Sequence, residues 1–382
     1  MRKERNFDFF TFIISLIIIS VFMGIIYFLY DYIFQISDSS ELVENFVSRT
    51  DEVPVTNVVE KQVNTNETTY DTQSMYNKIY EELTANDTPE EILVKEDAYF
   101  YNQLDETGKK IYGVLERNID NLKTGTYTID LGTTFNDLLH EANGKEILNT
   151  SYQAAWDAFL ADNPNIFYID ITKIYLYTKT ITTGSKTRYE ISIGNNNESY
   201  FAQGFTSVEQ VNEALYNIEN IKNEILSTIS TNNTYEKVKE IHDWLVDNVE
   251  YDTTLNRIHA HNIYGTLVER NVVCEGYAKT FKYLLDEINI PCVIVTGTGT
   301  DDEGKTENHA WNYVRINNAW YAVDVTWDDP IIVGNGKLTG KYKYKYFLKG
   351  YNQFVNNHRA NGVMSSQGVE FMYPELCVDD YK

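Results

Sequence analysis

The chain has 382 residues, 43% of them hydrophobic and 14% aromatic, with a formal net charge of −24. That composition excludes wholesale disorder, and the charge argues against a nucleic-acid partner, which needs a cationic face. Three cysteines, Cys274, Cys292 and Cys377, form no disulfide framework and leave at least one thiol unpaired.

Phe9 to Tyr30 is a run of 22 residues without a charge. As a helix rising about 1.5 Å per residue it would cross a hydrocarbon core of roughly 30 Å. Arg2, Lys3 and Arg5 precede it, and Asp31, Asp38, Glu41 and Glu44 follow it. The positive-inside bias then predicts a short cytoplasmic N-terminus (1–8), a single pass through the cell membrane (9–30) and an extracellular remainder. A cleaved signal peptide is the rival reading. Its apolar stretch would be only about 7–15 residues, and no A-x-A site follows. The expected partner of this segment is the lipid bilayer, through residues 9–30. Residues 31–74 are rich in Ser, Thr, Asn, Asp and Glu. They predict a polar spacer with too little apolar surface to order itself.

From residue 75 to about 230 the pattern is that of a supporting α+β domain. Tyr101, Leu104, Ile111, Tyr112, Leu115 and Ile119 recur near helical spacing. SYQAAWDAFLAD predicts a second helix, stopped by Asn163-Pro164. KIYLYTKTI and RYEISIG around TTGSKT predict a hairpin. Ser207, with Gln210 three residues on, opens a further helix with a capping box. His140 is the one reactive type in this stretch, so a supporting or recognition role is expected.

TYEKVKEIHDWLVDNVEYD opens the next segment, 231–360, with Val238, Ile241, Leu245 and Val249 on one helical face. His242 flanks that face and reads as a hydrogen-bonded structural histidine. His259 and His261 fall in a loop without a carboxylate or cysteine at ligand spacing, which makes a weak metal case. CEGYAKTFKYLLDEI carries Tyr277, Phe281, Leu284, Leu285 and Ile288 at steps of three and four, placing Cys274 at a helix N-terminus. Unpaired N–H groups and the helix dipole favour a thiolate there and could stabilise an oxyanion. Gly276 would allow close backbone approach. Taken alone, a cysteine of this kind reads rather as a small buried residue, as most free cysteines are.

The downstream stretch shifts that balance. HAWNYVRI and AWYAVDVTW flank Asn317-Asn318, a two-residue turn. The register then sets Trp311 opposite Asp324 and His309 opposite Thr326, with all four side chains on one face. His309 and Asp324 become diagonal neighbours within reach of each other. Ala310, Val314, Ile316, Tyr321, Val323, Val325 and Trp327 form the opposite, core face, with Asn312 the exception. A carboxylate among strand aromatics needs a partner, and an imidazolium supplies one. Cys274, His309 and Asp324 thus read as nucleophile, base and orienting acid. Cys292 reads as core, LTGKYKYKYFLKG as a half-exposed strand, and 361–382 as a C-terminal tail.

Cys274-Glu275-Gly276-Tyr277-Ala278, His309-Ala310-Trp311-Asn312 and Trp320 through Trp327 (WYAVDVTW) resemble the core of the transglutaminase-like superfamily, its bacterial membrane-anchored members in particular. The resemblance covers about 230 to 360. It implies an α+β, papain-like transglutaminase core with Cys274, His309 and Asp324 as its catalytic triad. By the sequence reading that core follows a smaller α+β domain and one transmembrane helix. It implies a side-chain oxyanion donor too, for which Tyr264, Trp244 and Trp311 are candidates. No acidic cluster matches the calcium sites of animal transglutaminases, and no cofactor or metal is expected. The expected function is an exported, membrane-anchored cysteine acyltransferase or hydrolase acting on carboxamide or peptide bonds of proteins or cell-envelope peptides through a thioester. A catalytically silent surface or cell-wall binding protein on the same fold is the alternative.

Overall fold

The computed structural model describes residues 98–330, 339–361 and 371–382. The carboxylate of Asp105 accepts from the Gly108 N–H at 2.6 Å and so caps helix α1, Glu106–Arg117. This helix buries Ile111, Tyr112 and Leu115. Helix α2, Gly144–Asp162, starts before the predicted segment and ends where expected. There the Asn163 side-chain amide donates to the Phe159 carbonyl at 2.9 Å, and Pro164 follows. Strands β1 (Ile129–Gly132), β2 (Tyr175–Thr183) and β3 (Lys186–Gly194) form a sheet in the order β1-β3-β2. β2 and β3 are the predicted hairpin. Helix α3, Val208–Thr228, is capped by Ser207 as predicted, although the Gln210 side chain accepts from the Thr206 N–H rather than from that of Ser207.

Helix α4, Thr234–Asn248, leads into β4 (Glu250–Tyr251), which runs parallel to β5 (Asn271–Val272). β5 feeds helix α5, Cys274–Asp286. The second sheet, in the order β8-β7-β6-β9, consists of β6 (Cys292–Thr300), β7 (Thr306–Ile316), β8 (Ala319–Val323) and β9 (His358–Ala360), all antiparallel. Asn317 and Asn318 both take positive φ, 52° and 63°, the requirement of a type I′ turn. Asn312 pairs with Val323 and Val314 with Tyr321, which is the predicted register.

Both faces of this sheet are buried. Val314, Ile316, Tyr321 and Val323 join Phe281, Leu284, Val238, Ile241 and Leu245 in one core. Val293, Val295, Trp311, Tyr313 and Ala322 join Phe100, Trp156 and Phe159 in another. The second core therefore draws on residues from both sides of residue 230. Each such buried side chain contributes roughly 1.5–3 kcal/mol.

Three expectations are corrected. Among the described residues no helix is long and apolar enough to cross a membrane. The predicted span Phe9–Tyr30, with its bilayer contact, lies outside the described residues, so the single-pass localisation and the extracellular placement are not retained. LTGKYKYKYFLKG is no strand over its described residues, 339–350. Its side chains are engaged one by one, Lys343 by Asp247 at 2.6 Å, Tyr344 by Asp243 at 2.9 Å and Lys345 by Asp302 at 2.8 Å. Finally, β8 stops at Val323. Asp324 and the residues after it form turns, which takes Trp327 off the expected core face.

Candidate active site

The site is built where the N-terminus of α5 meets the ends of β7 and β8. The Val273 N–H donates to the Ala260 carbonyl at 3.0 Å, fixing the residue before Cys274. Gly276 permits the approach, since a Cβ there would lie 2.8 Å from that same carbonyl and 2.7 Å from Val272 Cβ. The first turn bonds through the N–H groups of Gly276 and Tyr277, both to the Val273 carbonyl. No hydrogen bond among the described residues engages the backbone N–H of Cys274 or Glu275. Cys274 is half-buried beside Ala278, Ile294 and Ala310. The neighbouring Glu275 is buried, but His261, at 2.9 Å, and Lys279 pair with it. Burial opposes its charge, yet Lys279 and His261 prevail and lower its carboxyl to about 2. Its charge is thus neutralised locally beside the thiol.

His309 and Asp324 come together, with Asp324 carried there by the turn after β8 rather than by strand pairing. His309 Nε2 lies 2.7 Å from Asp324 Oδ2, with both residues buried. The Trp327 N–H donates to Asp324 Oδ1 at 3.1 Å. The turn carrying Asp324 is pinned from behind. Its N–H donates to the Tyr346 carbonyl at 3.2 Å, and Asp328 meets His242 Nε2 at 3.1 Å and the Tyr346 N–H at 2.8 Å. His242 is therefore a buried hydrogen-bonded histidine, as expected. The His309 ring stacks on Trp327, centroids 4.9 Å apart. Gly299 makes room for both rings: a Cβ there would sit 2.7 Å from Trp327 Cζ2 and 3.3 Å from His309 Cδ2.

The electrostatics follow from this enclosure. Burial alone would push His309 down, but the charge and hydrogen bond of Asp324, then the Cys274 thiol, outweigh it and raise the ring to about 10. Burial would likewise push Asp324 up, but His309 first and His358 second hold its carboxyl well below the usual range. Since Nε2 is taken by Asp324, Nδ1 is the His309 nitrogen left for Cys274. A buried, charged imidazole between a thiol and a carboxylate can move a proton to and from a reacting group.

One residue escaped the sequence reading. His358, buried on β9, places Nε2 at 3.0 Å from the same Asp324 Oδ2. Only the pairing of β9 with β6, His358 opposite Gly299, brings it there, and no local pattern announces it. His309, Asp324 and His358 thus bring three donor atoms within 4.8 Å of one another. The two ring nitrogens and the shared oxygen are, however, already engaged with each other.

The candidate oxyanion donors fare differently. Tyr264 packs among Phe167, Phe205 and His259, and the Trp244 ring is covered by the Arg270 guanidinium. Trp311 Nε1 is buried with no partner among the described residues. Burial first, then negative charge headed by Cys274 and Glu307, raises the Tyr251 phenol. His140 is exposed against Tyr189, and His259 and His261 point to different partners. Cys292 is buried, as expected.

Residues 220–325 match the family model of the transglutaminase-like superfamily, and this segment is a transglutaminase-like domain of mixed helix and strand. Kyphoscoliosis peptidase of Mus musculus is 27% identical over 150 residues, 36% of this chain and 22% of that protein. The Homo sapiens protein of the same name is 27% identical over 135 residues, 32% and 20%. The chain thus spans about a fifth of the length of these curated relatives. Among solved structures, one described as a TGase aligns with a TM-score of 0.29 at 14% identity, covering 46% of this chain and 50% of that one. The periplasmic domain of TgpA from Pseudomonas aeruginosa aligns with a TM-score of 0.22 at 14% identity, covering 37% and 55%.

Proposed function

We propose that the transglutaminase-like domain is a cysteine acyltransferase or hydrolase acting on carboxamide or peptide bonds of proteins or peptides. Cys274, His309 and Asp324 are its triad. The observation that carries this reading is the 2.7 Å contact between His309 Nε2 and Asp324 Oδ2, which leaves Nδ1 to the thiol at the α5 N-terminus. Paired with the His309 imidazolium, the Cys274 thiolate attacks the carbonyl carbon. The oxyanion is received by the backbone N–H groups of Cys274 and Glu275 at the start of α5. Collapse breaks the C–N bond, His309 gives its proton to the leaving amine, and a thioester remains on Cys274. The acyl acceptor, water or a primary amine, then passes a proton to His309 as it attacks. Water yields the acid; an amine yields a new amide.

The test is incubation of the protein with a glutamine-containing peptide, with and without a primary amine, following ammonia and adducts by mass. Acyl-Cys274 should be trapped on acid quench, and Cys274→Ala should abolish all turnover. Activity that survives in Cys274→Ala sinks the assignment.

A further inference from the structure

The Asp324 carboxylate serves two imidazoles through one oxygen. His309 approaches Oδ2 at 2.7 Å from β7, and His358 approaches the same atom at 3.0 Å from β9. An ionised carboxylate only accepts, so both rings must donate from Nε2. Two cations on one buried carboxylate would repel each other, and the environment decides which ring is neutral. His309 has the thiol as a second partner. Burial keeps His358 below the usual histidine range, the positive charge of His309 adds to this, and the pull of Asp324 does not overcome them. A neutral ring donating from Nε2 has a lone pair on Nδ1, which then needs a donor. Asn357 Oδ1 stands 2.9 Å from that nitrogen and its NH2 donates to the Tyr346 hydroxyl at 2.8 Å, but the two ends of an amide are interchangeable at such a site. Turned so that its NH2 meets His358 and its oxygen meets the Tyr346 hydroxyl, the amide satisfies every member. The ring itself has little freedom, lying against Phe354 with centroids 4.0 Å apart and among Trp311, Trp327 and Tyr346.

We propose that His358 is a positioning residue for the acyl-transfer site. As a neutral imidazole it holds Asp324 Oδ2 in line with His309 and keeps that carboxylate from taking the proton that His309 must deliver. The second donor makes the oxygen less basic, so the proton stays on His309 until the leaving amine claims it. The titratable groups facing this network are Cys274 from α5, Tyr251 from β4, Asp328 from the turn, and Tyr346 with Lys345 from the segment before β9. The inference rests on the acyl-transfer reading, and its test separates the two.

The test combines imidazole 15N NMR of the wild type near neutral pH with kinetics of His358→Phe and His358→Gln on the glutamine peptide. In the wild type, His358 should be the neutral Nε2–H tautomer while His309 is charged. His358→Phe should lower kcat about 10–100-fold, the usual cost of losing the group that orients a site ligand, with KM little changed. The alkaline limb of its pH profile should move upward, because Asp324 becomes more basic. His358→Gln, which can offer an amide N–H to Asp324, should recover part of the loss. A charged or Nδ1–H His358 in the wild type overturns the proposal even if neither variant folds. So does a folded His358→Phe whose kinetics match an active wild type. A wild type that turns nothing over removes the acyl-transfer reading itself, and this role with it.

Discussion

Asn312 ties the two halves of the site together: its side-chain amide donates to the Ala278 carbonyl at 2.9 Å, both residues being buried. Ala278 lies one turn beyond Cys274 on α5, and Asn312 lies three residues beyond His309 on β7. The bond therefore sets the register of thiol against imidazole. Asn312→Ala should leave that carbonyl without its side-chain donor and cost about 1–3 kcal/mol. It should lower kcat more than it raises KM, as read by urea melts and peptide kinetics. An unchanged kcat would show that the helix and strand hold register without it.

Gly299→Ala tests the floor of the site. The added methyl would stand 2.7 Å from Trp327 Cζ2 and 3.3 Å from His309 Cδ2, so the stacked rings must shift. Overpacking of this kind costs about 1–3 kcal/mol, and a displaced base should cut kcat at least tenfold, since sub-ångström placement governs such transfers. Gly340→Ala is the control, because its new Cβ would meet nothing closer than 3.9 Å.

Thiol reactivity separates an enzyme from a silent binding protein. Cys274 is half-exposed beside His309, whereas Cys292 is buried and burial pushes its thiol well up. Iodoacetamide at neutral pH should modify Cys274 far faster than Cys292, read by peptide mass mapping, and His309→Ala should slow the reaction. Equal, slow labelling of Cys274 and Cys292 favours the binding protein.

The pH profile should carry the signature of Asp324. Because His309 must be protonated to expel the amine, activity should persist until the pH nears about 10, where its proton leaves. Asp324→Asn removes the negative charge that outweighs burial, so the alkaline limb should fall toward or below the ordinary histidine value of about 6.5. The sign for stability runs the same way. The raised His309 contributes fully below about 6.5 and loses its contribution as the pH climbs through about 10. The lowered Asp324 contributes above the unfolded value of about 3.9 and loses its contribution as the pH falls below it. The Tm difference between the wild type and Asp324→Asn should therefore be largest between about pH 4 and 6.5. It should shrink by pH 10. A difference flat in pH would mean that the pair is not charged.

Much of the site was legible because its signals are local. The Asn317-Asn318 turn and the period-two alternation around it set which residues face which, and a one-residue error would have reversed every side chain. That arithmetic held as far as the Asn312–Val323 pair, from which the turn carries Asp324 on to His309, and helical spacing placed Cys274 at an N-terminus. The same reasoning failed at LTGKYKYKYFLKG, where Lys343 and Lys345 reach Asp247 and Asp302 in salt bridges and the Tyr344 hydroxyl donates to Asp243. It overran β8 too, because nothing in VDVTW marks the chain leaving the sheet at Asp324.

The sequence by itself determined the helix that presents Cys274, the hairpin that brings Asp324 toward His309, and the resemblance their motifs carry. These depend on neighbours a few residues apart, whose geometry is set by backbone period and turn type. Only the tertiary structure decided that His358 shares the oxygen of Asp324 and that residues before 230 cover one face of the sheet. Those relations join strands and helices distant in the chain, and their residues come together through the packing of whole elements, which no local pattern encodes.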